Sequence, residues 1–162
     1  MPLDKSVNRG AFCCGEDRID NYLKNTALQE HKKYKMRVFV GTKPTSFDVV
    51  GFYTLTFIVW KLDDALPEVV TKFKTAGPVP AIYLAKLGVN KEDSGQGFGK
   101  LLMIDAFKRC VMIAEHAAIP TLTLEAIDEE KAAWYKKLGF VRFSPDSLRM
   151  VIPLATLRQV VW

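Results

Sequence analysis

The chain has 162 residues, 49% of them apolar and 25% charged, and carries a formal net charge of +5. That length holds one domain with its own core, spanning 1–162, and the balance excludes a disordered or fibrous chain. No apolar run reaches membrane-spanning length and the first ten residues lack an apolar export signal, so a cytoplasmic protein with no membrane association is expected.

The three cysteines, Cys13, Cys14 and Cys110, are odd in number and none is spaced C-x-x-C. With only His31 and His116 beside them, no metal site is expected, and reduced thiols serving as packing residues fit best.

In chain order, "GEDRIDNYLKNTALQEHKKY" (Gly15–Tyr34) places apolar residues at helical intervals and reads as one amphipathic helix or two short ones. "RVFV" is a strand and "TKPTSFD" the turn after it. "VVGFYTLTFIVW", rich in β-branched and aromatic residues, is a strand over Val49–Trp60. "LDDALPEVVTKFK" reads as a short helical insert closed by "TAGPVP". Ala81–Asn90 is a near-continuous apolar strand of the buried kind. A helix is expected from Phe98 to Ala118, with Leu101, Ile104, Val111 and Ala114 on its buried side. "TLTLEAI" is a strand, "DEEKAAWYKKL" a helix stopped by Gly139, and "FVRF" and "LRMVIPL" are closing strands. The pattern predicts an α/β (α+β) fold, one sheet with helices on both sides.

The glycines of "EDSGQGFGKLLMIDAF" (Glu92–Phe107) suggest a phosphate-binding loop. A P-loop fails twice, because Ser94 stands where the first glycine belongs and Leu101 where a magnesium-holding hydroxyl is needed. A dinucleotide fingerprint from Gly95 through Gly97 meets Lys100 in place of its third glycine. A pyrophosphate cradle fits better: the amides from Gly95 to Lys100 would converge at a helix N-terminus, where the dipole favours anions. A plain helix-capping turn is the simpler alternative.

The loop, taken with "FCCGEDRIDNYL", "VVGFYTLT", "VPAIYLAKLGVN", "EAIDEEKAAWYKKLGF" and "LRMVIPLATL", resembles the GCN5-related N-acetyltransferases (GNAT) over nearly the whole chain. The match is to their branch of toxins from toxin–antitoxin systems. Their acetyl-CoA motif, Q/R-x-x-G-x-G/A, falls on Ser94–Gly99, with Ser94 departing from the usual Gln or Arg.

The resemblance implies a GNAT fold: one central mixed sheet flanked by helices, with splayed strands holding acetyl-CoA as cosubstrate and no metal. It assigns cofactor binding to Leu87, Gly88, Val89, Ser94, Gly95, Gln96, Gly97, Phe98, Gly99, Lys100 and Asp128, with Gly88 marking a bulge. Tyr135 would donate a proton to the departing CoA sulfur; without the family, a packing role beside Trp134 is as good a reading. The activity implied is acetylation of the α-amino group of aminoacyl-tRNA, stopping translation and arresting growth. A ribbon-helix-helix antitoxin would neutralise the toxin in a complex that binds its own promoter DNA, and the toxin itself would be a homodimer, with the apolar end "LRQVVW" as a contact or an internal cover.

Basic residues at Lys32, Lys33, Lys35, Arg37, Lys136 and Lys137 are compatible with a polyanionic acceptor, though composition alone favours a solvated helix face. Lys86 precedes the acetyl-CoA strand and faces either the acceptor's phosphates or solvent. No base is evident, which favours an α-amine, with a pKa of about 8, over a lysine at about 10.4. A small-molecule or protein N-acetyltransferase and a non-enzymatic CoA-binding module are the alternatives.

Overall fold

A computed structural model of the chain describes residues 1–60 and 78–161. Six strands form one mixed sheet: β1 (Arg37–Thr42), β2 (Val49–Trp60), β3 (Val79–Val89), β4 (Thr121–Glu125), β5 (Val141–Arg142) and β6 (Arg149–Pro153), in the order β1-β2-β3-β4-β6-β5. β3 and β4 run parallel, while β1/β2, β4/β6 and β5/β6 are antiparallel. The helices are α1 (Asp17–Asn21), α2 (Ala27–Lys32), α3 (Phe98–His116), α4 (Glu129–Lys137) and α5 (Leu154–Val161). The helical insert expected over "LDDALPEVVTKFK" lies outside the described residues.

The chain divides into two compact units, the first made of Met1–Thr56 and Ala85–Ala106. Its core gathers Phe12, Leu23, Ala27, Val38, Val40 and Phe52, with the Phe12 ring edge-on to Phe52 at 5.5 Å. The expected N-terminal helix is two short helices joined by a π-helical turn, Tyr22–Thr26. Arg9 reaches that turn and donates to the carbonyls of Leu23 (3.2 Å) and Lys24 (3.5 Å). A wide turn leaves carbonyls poorly paired, and one guanidinium nitrogen of Arg9 supplies donors to both.

The second unit comprises Phe57–Leu84 and Phe107–Trp162. Trp60, Val79, Ala81, Phe143 and Val151 form one of its apolar clusters. The fully buried hydroxyls of Thr121 and Thr123 donate to the carbonyls of Ile152 (3.0 Å) and Met150 (2.9 Å), so neither is left unsatisfied. Gly139 ends α4 with φ +102°, a conformation that favours glycine, and its amide bonds the Lys136 carbonyl.

Three expectations are corrected. On α3 the buried residues are Leu102, Met103, Ala106, Phe107, Cys110 and Val111, whereas Leu101 is 59% and Ile104 38% exposed. The run "LLMI" is apolar on every side, so a 3.6-residue period fits two adjacent stripes equally well. Residues 154–161 are helical, and "FVRF" narrows to the two-residue β5. Leu157 of α5 is fully buried, so this end covers the chain's own core. Finally, Cys110 is a packing residue, but Cys13 is exposed.

Candidate functional site

In the first unit β3 leads into a 3₁₀ turn, Lys91–Asp93, then the glycine loop and α3. Gly95 and Gly97 adopt φ +76° and +87°, which side-chain-bearing residues rarely take, and a Cβ built on either would meet no atom within 4 Å. Glycine is therefore needed for backbone conformation, and the space in front of it is open. Gly99 differs, lying in the first turn of α3. The Leu101 amide makes a main-chain bond to Gly97 (3.1 Å) as α3 begins. The amides of Phe98, Gly99 and Lys100 precede it at the helix N-terminus, where a phosphate finds donors and a favourable dipole. These features fit a pyrophosphate.

The loop is anchored by residues outside Ser94–Gly99. Asn90 donates to Asp93 (3.1 Å) and accepts from the Cys13 amide (3.0 Å), and Lys43 pairs with Asp93 at 3.6 Å. The Lys91 amide bonds the Cys13 carbonyl at 2.8 Å, so the "FCCGED" segment is tied to the end of β3. Apart from Asn90 and Asp93, these partners are distant in sequence and leave no local signal.

Leu87, Gly88 and Val89 form the C-terminal end of β3. The parallel ladder with β4 ends at Leu84↔Leu124, and β3 continues through Val89. A Cβ on Gly88 would sit 3.0 Å from Ile19, 3.3 Å from Phe12 and 3.4 Å from the Cys14 sulfur. Close packing of the N-terminal segment thus accounts for glycine here. Two residues earlier, the Lys86 amide donates to the buried hydroxyl of Thr54 at 3.0 Å. The Lys86 ammonium lies 4.3 Å from the centre of the Tyr22 ring, whose phenol bonds Glu30 at 2.9 Å. Burial and that carboxylate both push the Tyr22 pKa up.

Tyr135, in the second unit, is buried on α4 between Trp134 (ring centres 5.0 Å) and Phe140 (5.8 Å). Burial pushes its pKa up to about 12. It is a fully protonated donor at neutral pH, held in an apolar wall. Asp128 is the N-cap of α4 and accepts the Lys131 amide at 2.7 Å, a capping role that the sequence reading missed.

The basic residues fall into distinct settings. Lys32, Lys33 and Lys35 are exposed at and after the end of α2, as are Lys136 and Lys137 in the last turn of α4. Arg37 is engaged, donating to the His31 carbonyl (3.4 Å) and lying 5.2 Å from the Tyr34 ring centre. Among the described residues no group of His, Cys, Asp or Glu is placed to hold a metal, and no helix is long and apolar enough to cross a membrane.

No family model matches the chain. Curated relatives do. The chain is 33% identical to the probable toxin TacT of Sinorhizobium fredii, over 99% of this chain and 93% of the relative. It is 30% identical to the tRNA-acetylating toxin of Mycobacterium tuberculosis, over 93% and 89%. Among solved structures, AtaT complexed with acetyl-methionyl-tRNAfMet superposes with a TM-score of 0.90 at 23% identity, covering 100% of this chain and 98% of that one. A tyrosine-to-phenylalanine mutant of AtaT, bound to the C-terminus of the antitoxin AtaR and acetyl-CoA, gives 0.82 at 21%, over 99% and 95%. The KacTA–DNA complex gives 0.81 at 22%, over 98% and 93%. The structural likenesses establish the GNAT fold, and the two curated relatives establish kinship: the chain is an acetyltransferase that belongs to the tRNA-acetylating toxins of the GNAT family.

Proposed function

We propose that the chain transfers the acetyl group of acetyl-CoA to the α-amino group of aminoacyl-tRNA, blocking translation and arresting growth, and that residues 1–162 act as one acetyltransferase domain. The observation that carries this reading is the open loop with positive φ at Gly95 and Gly97, set at the N-terminus of α3, in a chain related over 93% of its length to a tRNA-acetylating toxin.

In this reading the amides from Gly95 to Lys100 hold the pyrophosphate, with Ser94 and Gln96 flanking it. The strand end Leu87–Val89 offers main-chain groups to the pantetheine arm, as an added strand would. Tyr135 donates its phenolic proton to the sulfur as the C–S bond breaks. Asp128 serves this site through the start of α4, which it caps. Exposed Lys32, Lys33, Lys35, Lys136 and Lys137 contribute positive charge toward tRNA phosphates. Arg37 and Lys86, each set against an aromatic ring, add charge from fixed positions.

An antitoxin with a ribbon-helix-helix part would restrain the toxin in a complex that binds promoter DNA. Support comes from AtaT with its antitoxin and from KacTA with DNA. The toxin would work as a cytoplasmic homodimer. Val160, 67% exposed on α5, is an apolar residue available to such a contact.

The test is transfer of labelled acetyl to a panel of aminoacyl-tRNAs and free amines at two ionic strengths. Transfer to aminoacyl-tRNA that falls steeply with salt supports the reading; salt-independent transfer to free amines alone overturns it.

A further inference from the structure

Helix α2 ends on a residue its closing turn does not favour. The Lys35 amide bonds the Glu30 carbonyl at 3.1 Å and the Tyr34 amide bonds the His31 carbonyl at 3.3 Å, the two bonds of a Schellman turn. The left-handed position of that turn, φ +57°, falls to Tyr34. The turn after α4 has the same pair of bonds, Phe140 to Tyr135 and Gly139 to Lys136, and there the position is glycine, which has no Cβ to strain. Burial does not offset the strain at Tyr34, because the residue is 82% exposed.

The ring is nonetheless held in place. The Arg37 guanidinium lies 5.2 Å from its centre and donates to the His31 carbonyl at 3.4 Å. The Lys35 carbonyl accepts the Thr56 hydroxyl at 3.2 Å, which ties the turn to β2. Lys32, Lys33 and Lys35 flank the ring in sequence and are exposed. A fixed aromatic face, open to solvent among cations, combines the two features that bind single-stranded nucleic acid: stacking for a base and positive charge for its phosphate. The turn is also joined to the acetyl-CoA side of the first unit. Glu30 accepts the Tyr22 phenol at 2.9 Å, and the Lys86 ammonium lies 4.3 Å from the Tyr22 ring centre, one residue before Leu87. Contacting groups thus run from the Tyr34 turn to the strand end assigned to the pantetheine arm.

We propose that the Tyr34 ring is a stacking platform for an unpaired base at the 3′ end of the acceptor tRNA. The inference rests on the tRNA reading above and names how that substrate is gripped. The amino acid is carried on the last nucleotide of a single-stranded end, so the enzyme must hold that strand while the amine meets the thioester. Lysines attract phosphates whether or not the bases are paired, whereas a ring stacks on a base that has left the duplex. The strain kept at Tyr34 then has a function.

The experiment measures binding of uncharged tRNA, intact or trimmed of its unpaired 3′ nucleotides, to the wild type, Tyr34→Gly and Tyr34→Phe over a range of salt. Tm is recorded for each protein, and acetylation of the aminoacylated form by the wild type is measured in parallel. The wild type is expected to bind intact tRNA about tenfold more tightly than trimmed tRNA, the scale of one stacked base. Tyr34→Gly should bind both as the wild type binds trimmed tRNA, with the salt slope unchanged because no phosphate contact is removed. Tyr34→Phe should keep the preference. The Tm of Tyr34→Gly should be no lower than that of the wild type, because glycine suits the turn. Equal weakening of both tRNAs in Tyr34→Gly, a preference that survives in it, or a clear fall in its Tm overturns the platform and leaves the proposed reaction standing. A wild type that acetylates no aminoacyl-tRNA would instead overturn the substrate reading, and the platform with it.

Discussion

The Nδ1 atom of buried His31 accepts the amide of Val38 at 2.9 Å, tying the end of α2 to β1 across the turn that carries Lys32, Lys33 and Lys35. An imidazole that accepts at Nδ1 cannot hold a proton there. Burial and, secondarily, the Arg37 charge lower the His31 pKa below its usual 6.5. The unfolded chain therefore binds the proton more readily than the folded one. The stabilisation is complete above about pH 6.5 and is lost as pH falls from there toward the lower folded pKa. His31→Gln, which keeps an acceptor oxygen and cannot titrate, should lose less Tm than the wild type between pH 7.5 and 5, by about 2–4 °C for each kcal/mol involved. Parallel Tm curves for the two proteins would remove His31 from the acid response.

Tyr135→Phe should leave the fold and acetyl-CoA affinity nearly unchanged and slow transfer by about 10²-fold, the usual scale for a lost general acid. Because burial holds the phenol near pKa 12, the wild-type rate should show no Tyr135 titration between about pH 7 and 9. Wild-type turnover in the variant would reduce Tyr135 to packing against Trp134 and Phe140.

Two glycine substitutions should separate binding from folding. Gly97→Val puts a side chain into open space at φ +87°, so it should strain the loop by about 1–2 kcal/mol and strongly weaken acetyl-CoA binding. Gly51→Ala should behave oppositely. Its Cβ would stand 2.9 Å from the Gly88 carbonyl oxygen and 2.7 Å from Leu102, and the backbone cannot step aside as a side chain can. A loss of about 1–3 kcal/mol in stability is expected from such overpacking. Denaturation and calorimetry on both variants check the pair, and unchanged acetyl-CoA affinity in Gly97→Val would count against the cradle.

What the sequence made legible follows from how local each signal is. β2 runs from Val49 to Trp60 as its β-branched and aromatic run indicates, and Gly139 stops α4 through its positive φ. The glycine loop was legible for the same reason, since Gly95 and Gly97 record backbone conformations in their own identities. Long-range partners were not. Nothing near Thr54 announces that its hydroxyl receives the Lys86 amide, and the position of Lys86 over Tyr22 depends on how a helical segment lies on a strand far along the chain. The α3 stripe was misread because Leu101 and Ile104 are as apolar as Leu102 and Met103. The helix of α5 was missed because its valines resemble the strand before it.

Charge reversal at Lys32 and Lys33 should reduce acetylation of aminoacyl-tRNA much more than slow hydrolysis of acetyl-CoA by water, and should flatten the salt dependence of the former. Both lysines are exposed, so the variant should keep its Tm. Equal losses on both reactions would show that the lysines support the fold rather than the acceptor.

The proposed reaction changes one nitrogen atom. Aminoacyl-tRNA is incubated with the protein and acetyl-CoA, digested with a nuclease that frees the 3′-terminal aminoacyl-adenosine, and the fragment is sequenced by mass spectrometry. The expected result is an acetyl group on the α-nitrogen of the amino acid, present with the wild type and strongly reduced with Tyr135→Phe. An unmodified aminoacyl-adenosine, recovered while the same protein acetylates a free amine or a protein lysine, would contradict it.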